Sequence, residues 1–105
     1  MIRVSVLYPS QAGARFDWAY YLKTHVPMVA KRFGAALRTT TIEQGLGGGA
    51  PGAPAPFVAI ASLVFDSVPA FEAAFAPHAA EIMADIPKYT SITPTIQISE
   101  IKVGA

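Results

Sequence analysis

The chain has 105 residues, 52% hydrophobic and 14% charged, with a formal net charge of +1 and no cysteine. Charged residues usually make up about a quarter of a soluble domain, so this single-domain length carries an apolar surplus, and a homodimer interface is the natural place to bury it. Without cysteine, disulfides, thiolate catalysis and the common zinc motifs are excluded; without clustered Lys and Arg, nucleic acid and anionic membranes are not expected as partners.

The opening segment, MIRVSVLYPS, is too short and too interrupted in its apolar stretch for a signal peptide or a membrane span, so a soluble cytoplasmic protein is expected. Within it, Ile2 to Pro9 is rich in β-branched residues and runs into turn chemistry, which predicts a strand. Asp17 to Phe33 has helical periodicity and stops at Gly34, a natural residue to end a helix. Leu37 to Leu46, with three consecutive threonines, predicts a second strand. Gly47 to Pro56 is all Gly, Ala and Pro, which predicts a mobile loop longer than most.

Phe57 to Phe65 is a continuous apolar run of strand length. Ser67 to Asp85 predicts a second helix, capped by Asp66 or Ser67 with Pro69 in its first turn. Pro94 to Val103 alternates as a closing strand. The order β-α-β-β-α-β predicts an α+β, ferredoxin-like domain over residues 1–105, with an antiparallel four-stranded sheet and both helices on one face. Phe57, Ala59, Ala61, Leu63 and Phe65 alternate with Val58, Ile60, Ser62 and Val64, so both faces of the third strand are largely apolar. Helices cover only one of them, and a second copy stacked sheet to sheet is expected to cover the other.

Projected at about 100° per residue, Trp18, Leu22, His25, Val29 and Phe33 share one arc of the first helix, flanked by Tyr21 and Arg32. Tyr20, Lys23, Lys31 and Pro27 fall on the far side. There the proline's missing N–H is harmless, and the carbonyl of Lys23 is free to bond water. Phe71, Phe75, His78 and Ile82 form the inner arc of the second helix, beside Ala74, Asp85 and Ile86. Both histidines of the chain are therefore expected to face one groove between helices and sheet.

A histidine on an apolar face is often just a satisfied core residue. Two at equivalent positions favour a site, because imidazole transfers protons in either direction near neutrality. His25, His78 and Tyr89 are the catalytic candidates, and Trp18, Tyr21, Leu22, Phe75, Ile82 and Asp85 the substrate-binding ones. The GLGGGAPG run lacks the context of a dinucleotide or P-loop motif. No close ligand spacing supports a metal site, and no cofactor is expected.

YPSQAGARFDWAYYLKTHVPMVAKRFG (Tyr8 to Gly34) and HAAEIMADIPKYTSITPTIQISEI (His78 to Ile101) resemble, in order and spacing, the EthD family, named for a protein of ethyl tert-butyl ether degradation. The resemblance covers nearly the whole chain and implies a dimeric α+β barrel. It also implies a role in catabolism, though not a settled reaction. By fold analogy, the leading expectation is cofactor-independent proton transfer (cyclisation, decarboxylation or isomerisation) on an apolar aromatic or polyketide-like molecule. The alternatives are a non-catalytic partner of a catabolic oxygenase and a haem-binding barrel.

Overall fold

The computed structural model describes residues 1–104. Four strands, β1 (Ile2–Pro9), β2 (Thr39–Gln44), β3 (Phe57–Phe65) and β4 (Thr95–Glu100), form one sheet in the order β2-β3-β1-β4. Every neighbouring pair is antiparallel. Helix α1 (18–33) joins β1 to β2, and α2 (68–85) joins β3 to β4. This is the split arrangement expected of the element order. Strands β2 and β4 are shorter than the sequence suggests, having lost both ends of each apolar segment. Among the described residues no helix is long and apolar enough to cross a membrane.

Strand alternation sets the layers. In register, Val4 lies opposite Leu63 and Tyr8 opposite Ala59, so these residues share the helix-bearing face with Ile2 and Phe65. Val4, Phe33, Phe65 and Ile82 centre one buried cluster, while Tyr8, Tyr21, Ala59, Tyr89 and Ile92 form a second. The opposite face carries Leu7, Ile60 and Val64 among serines and threonines.

Neither helix is wound uniformly. In α1 an α-helical turn, Trp18–Tyr20, leads into a five-residue π-helical turn, Tyr21–His25, before α-helix resumes over Val26–Phe33. The Val26 N–H bonds to the Tyr21 carbonyl, five residues back. Pro27 stands just beyond, in the first turn of the resumed helix. Its nitrogen cannot bond the Lys23 carbonyl and its ring crowds that group, which weakens the regular ladder where the wider turn replaces it. Gly34 ends the helix at φ +60°, as its position suggested.

In α2 the break is Pro77. A 3₁₀ turn, Ala76–His78, separates Val68–Phe75 from Ala79–Asp85, because proline again removes a ladder bond. Ser67 is the N-cap, accepting from the Ala70 N–H at 3.2 Å, while Asp66 pairs with Arg38 instead.

The Gly/Pro segment, expected to be a mobile loop, carries backbone hydrogen bonds within itself and at its flanks. Gly45 N–H bonds Val58 O, Gly48 N–H bonds Ala53 O, and Ser10 N–H bonds Pro56 O. Gly45 is obligatory here, since a Cβ would fall 2.1 Å from the Phe57 carbonyl oxygen.

A polar clasp joins the start of α1 to the segment after α2. Asp17 N–H donates to Tyr89 O at 2.7 Å, and Thr90 Oγ1 donates to Arg15 O at 2.7 Å. The Arg15 guanidinium also reaches the carbonyls of Pro87 and Lys88. The clasp brings Tyr20 and His25 beside Asp85, and the site is built there.

Candidate functional site

A cavity of ≈ 210 Å³ lies between the helices and the helix-bearing face of the sheet. Its floor is strand side chains, among them Val4, Val6, Ala61 and Leu63; its roof includes Val29, Phe75 and Ile82. The small Ala61 at the centre of the sheet leaves room that a larger residue would take. Ala30, Thr40, Met83 and Ile96 also line the cavity and are exposed, so it reaches the surface. Its lining contains no Lys, Arg, Asp or Glu; the side chains with a polar atom are Tyr8, Tyr21, His25 and Thr40.

His25 is 6% exposed, and its Nδ1 lies 2.8 Å from Asp85 Oδ2. The other carboxylate oxygen, Oδ1, accepts from the Tyr20 hydroxyl at 2.7 Å and has Lys88 Nζ 3.6 Å away. Burial pushes the His25 pKa down and outweighs the upward pull of Asp85. For Asp85, burial alone would push the pKa up. Hydrogen bonds from Tyr20 and His25, with the charges of His25 and Lys88, bring it below the usual carboxylate value. The pair is therefore a neutral imidazole over a carboxylate. A carboxylate only accepts, so Nδ1 carries the ring proton and Nε2 carries the lone pair. Nε2 makes no hydrogen bond to any described residue, on a side chain that lines the cavity.

Aromatic packing fixes the ring from the sides. Tyr21 stacks on it at 5.8 Å between centroids and 16° between planes; Tyr89 sits tilted at 4.6 Å. Tyr89 is fully buried, and its hydroxyl is 2.7 Å from that of Tyr8. Burial raises the pKa of Tyr8, Tyr21 and Tyr89 alike, so all three keep their protons.

The sequence-based candidates separate into three groups. His25, Tyr21, Phe75 and Ile82 line the cavity. Asp85 and Tyr89 stand behind His25, where they orient it, and are not in the lining. Trp18, Leu22 and His78 are not in the lining either. Trp18 packs on Phe16 and Tyr21 in the neighbouring aromatic cluster, and Leu22 is 49% exposed. Their displacement has a winding cause. The π turn places Tyr21, His25, Val29 and Phe33 inward, four residues apart, where a regular helix would have favoured Leu22. The 3₁₀ turn at Pro77 likewise takes His78 off the inner arc, and the two histidines do not share the cavity.

Two participants escaped the sequence reading. Tyr8 was readable, since it has the same strand parity as the core residues Ile2 and Val4. Tyr20 was not, because an ideal helix puts it on the solvent side. Among the described residues no group of three or more His, Cys, Asp or Glu is placed to hold a metal ion.

The comparisons agree with this architecture. The family model described as the EthD domain matches residues 12–93. The structure is similar to the crystal structure of an EthD-like protein from Ralstonia eutropha JMP134, at 50% identity and a TM-score of 0.93, covering 99% of this chain and 94% of that one. It also shares its fold with an ethyl tert-butyl ether degradation (EthD) family protein from Bacillus halodurans C-125, at 18% identity and a TM-score of 0.65, covering 96% and 98%. A search of curated proteins gives no match. With the family model spanning most of the domain and a half-identical relative matching it end to end, the chain belongs to the EthD family.

Proposed function

We propose that this EthD-family protein binds an apolar, aromatic or polyketide-like small molecule in the helix–sheet cavity and catalyses cofactor-independent proton transfer there. The observation that carries the reading is His25: Nδ1 is anchored on Asp85, and Nε2 has no partner among the described residues on an apolar cavity. Burial lowers the His25 pKa and keeps the imidazole neutral at neutral pH, so its Nε2 lone pair is available to accept a proton. Nε2 would take a proton from carbon next to a carbonyl. The C–H bond breaks, an N–H bond forms, and the electron pair moves through the new C=C onto oxygen as an enolate. Asp85 would stabilise the imidazolium so formed, and return of the proton to another atom completes an isomerisation. Cyclisation and decarboxylation draw on the same chemistry.

The test is hydrogen–deuterium exchange of a neutral two-ring ketone, 2-tetralone, followed by NMR in D₂O. The protein should speed exchange at the carbon next to the carbonyl, and His25→Gln should abolish the acceleration. A bound ketone exchanging no faster than in buffer would remove the catalytic half of the proposal.

The same reading includes a homodimer in cytoplasmic solution, formed through the helix-free face of the sheet. Support comes from Leu7 and Ile60, paired apolar residues on a face that neither helix covers.

A further inference from the structure

Resting on the cavity being a binding site, we infer that its occupant is a neutral molecule with a hydroxyl that donates to His25 Nε2, a phenol or an enol, and not a carboxylate. Three observations converge on this class. First, the acceptor is defined by geometry. Asp85 Oδ2 at 2.8 Å claims the proton on Nδ1, so the free nitrogen offers a lone pair and selects a donor.

Second, the lining carries no cation to meet an anion. Lys88 and Arg32 are committed to Asp85 and Glu81 and lie outside the lining. A carboxylate would be desolvated in an apolar site with the Asp85 charge one imidazole away. An unpaired ion in such surroundings is far costlier than a hydroxyl that has a partner. Of the remaining polar groups of the cavity, the Tyr8 hydroxyl is bonded to Tyr89 and Tyr21, which leaves the Thr40 hydroxyl to meet a neutral carbonyl or a second hydroxyl on the ligand.

Third, the volume sets a size. About 150 Å³ suffices for benzene in an apolar cavity, so ≈ 210 Å³ suits a substituted ring or two fused rings. Among the reactions considered above, a neutral hydroxyl ligand favours enol isomerisation or cyclisation over decarboxylation, whose substrate is an acid.

Four probes of one size separate the possibilities: 2-naphthol, 2-methoxynaphthalene, naphthalene and 2-naphthoate, titrated into the full chain at neutral pH. The hydroxyl should bind about tenfold more tightly than its methyl ether, the gain expected of one good buried hydrogen bond. Naphthoate should bind more weakly than either. His25→Leu should erase the gap between naphthol and ether while naphthalene still binds. Should that variant not fold, histidine ¹⁵N NMR of the wild type gives an independent readout: naphthol should shift the His25 Nε2 resonance and naphthalene should not. Naphthol binding no better than its ether, or naphthoate binding best, overturns the inference and leaves the apolar site standing. If naphthalene also fails to bind, the site reading falls, and the inference with it.

Discussion

His25 and Asp85 are sixty residues apart in the chain, yet Nδ1 of one lies 2.8 Å from Oδ2 of the other, with both side chains buried. The contact depends on the clasp between residues 15–17 and 89–90, which holds the start of α1 against the end of α2. Among the described residues the carboxylate is the only charged acceptor for a ring flanked by Tyr21 and Tyr89. Asp85→Asn keeps the shape and removes the charge that pulls the His25 pKa up. Its pKa should then fall further, as read by NMR titration of the ring. Asp85→Ala leaves a buried Nδ1–H without its acceptor and should cost about 1–3 kcal/mol in denaturant unfolding. An unchanged His25 titration in Asp85→Asn would show that the carboxylate does not act on the ring.

Acid should unfold the protein in two arms. His25 binds its proton less readily folded than unfolded, so its contribution is complete above the ordinary value of 6.5 and declines as pH falls from there toward the lowered folded value. The Asp85 pKa is also depressed when folded. Its carboxylate therefore stabilises above the usual 3.8, and this contribution is lost as pH falls through the folded value. Tyr20, Tyr21, Tyr89 and Lys88 are the groups that face the pair. Of these only Lys88 carries a charge through both windows. Melting temperature against pH should show both arms in the wild type, and His25→Gln should lose the upper one. Tyr20→Phe removes a bond that lowers the Asp85 pKa, so the lower arm should shrink. A single arm near 4 in the wild type would mean that His25 titrates as it does in the unfolded chain.

Pro27 explains much of what could and could not be read from sequence. The order of elements, the bounds of β1 and β3 and the inward facing of His25, Phe75 and Ile82 all followed from periodicity, because burial enforces a period wherever an element stays regular. Leu22, Trp18 and His78 were misplaced because each lies at or near a change of winding, and a 100° projection assumes none. Pro27 was visible as a defect and Pro77 went unremarked, but the consequence of each, a π turn in one helix and a 3₁₀ turn in the other, depends on which competing bonds the surrounding packing completes. The Tyr20–Asp85 bond lies on the far side of that uncertainty. The aromatic clasp of Phe16, Tyr21 and Tyr89 joins distant segments, and no local pattern announces it.

Pro27→Ala tests this account of the helix. Alanine restores the N–H that can bond the Lys23 carbonyl, the bond a regular α-helix would make. The wide turn at Tyr21–His25 should relax, the His25 Nδ1–H should leave Asp85, and its ¹⁵N shift should move toward that of a solvated imidazole. Binding of two-ring probes should weaken with it. If the His25 signal stays where it is, the wide turn is held by tyrosine packing and not by the proline.

Ala61→Leu tests whether the cavity is the binding site. Ala61 lies in the middle of β3, 6% exposed, and lines the cavity floor. Three added carbon atoms would enter empty space. Unlike most core enlargements, this one should leave stability unchanged or raise it, because filling a void recovers contacts that a void forfeits. Ligand-dependent thermal shifts should fall by about tenfold in apparent affinity, in keeping with lost space for roughly two ligand carbons. A normal ligand response in a stable Ala61→Leu protein would place binding elsewhere.

The proposed dimer and the cavity lie on opposite faces of the sheet, and that separation makes them independently testable. Ile60 points to the helix-free face, opposite Leu7 on one neighbouring strand and Glu43 on the other. In a sheet-on-sheet dimer the two inner faces meet about 10 Å apart. A lysine at position 60 would have to bury its charge there without a partner, a cost large enough to separate the subunits. Light scattering should give the wild type twice the 11.1 kDa chain mass and Ile60→Lys the mass of one chain. Glu72→Lys, on the exposed surface of α2, serves as a charge-changing control and should leave the dimer intact. Since His25 and Asp85 are both on the helix side, the Ile60→Lys monomer should still bind the two-ring probes if it remains folded. A wild type that runs as a monomer at every concentration removes the dimer and leaves the site untouched. A monomeric variant that is folded but no longer binds would show that the partner's sheet supports the cavity floor through β3.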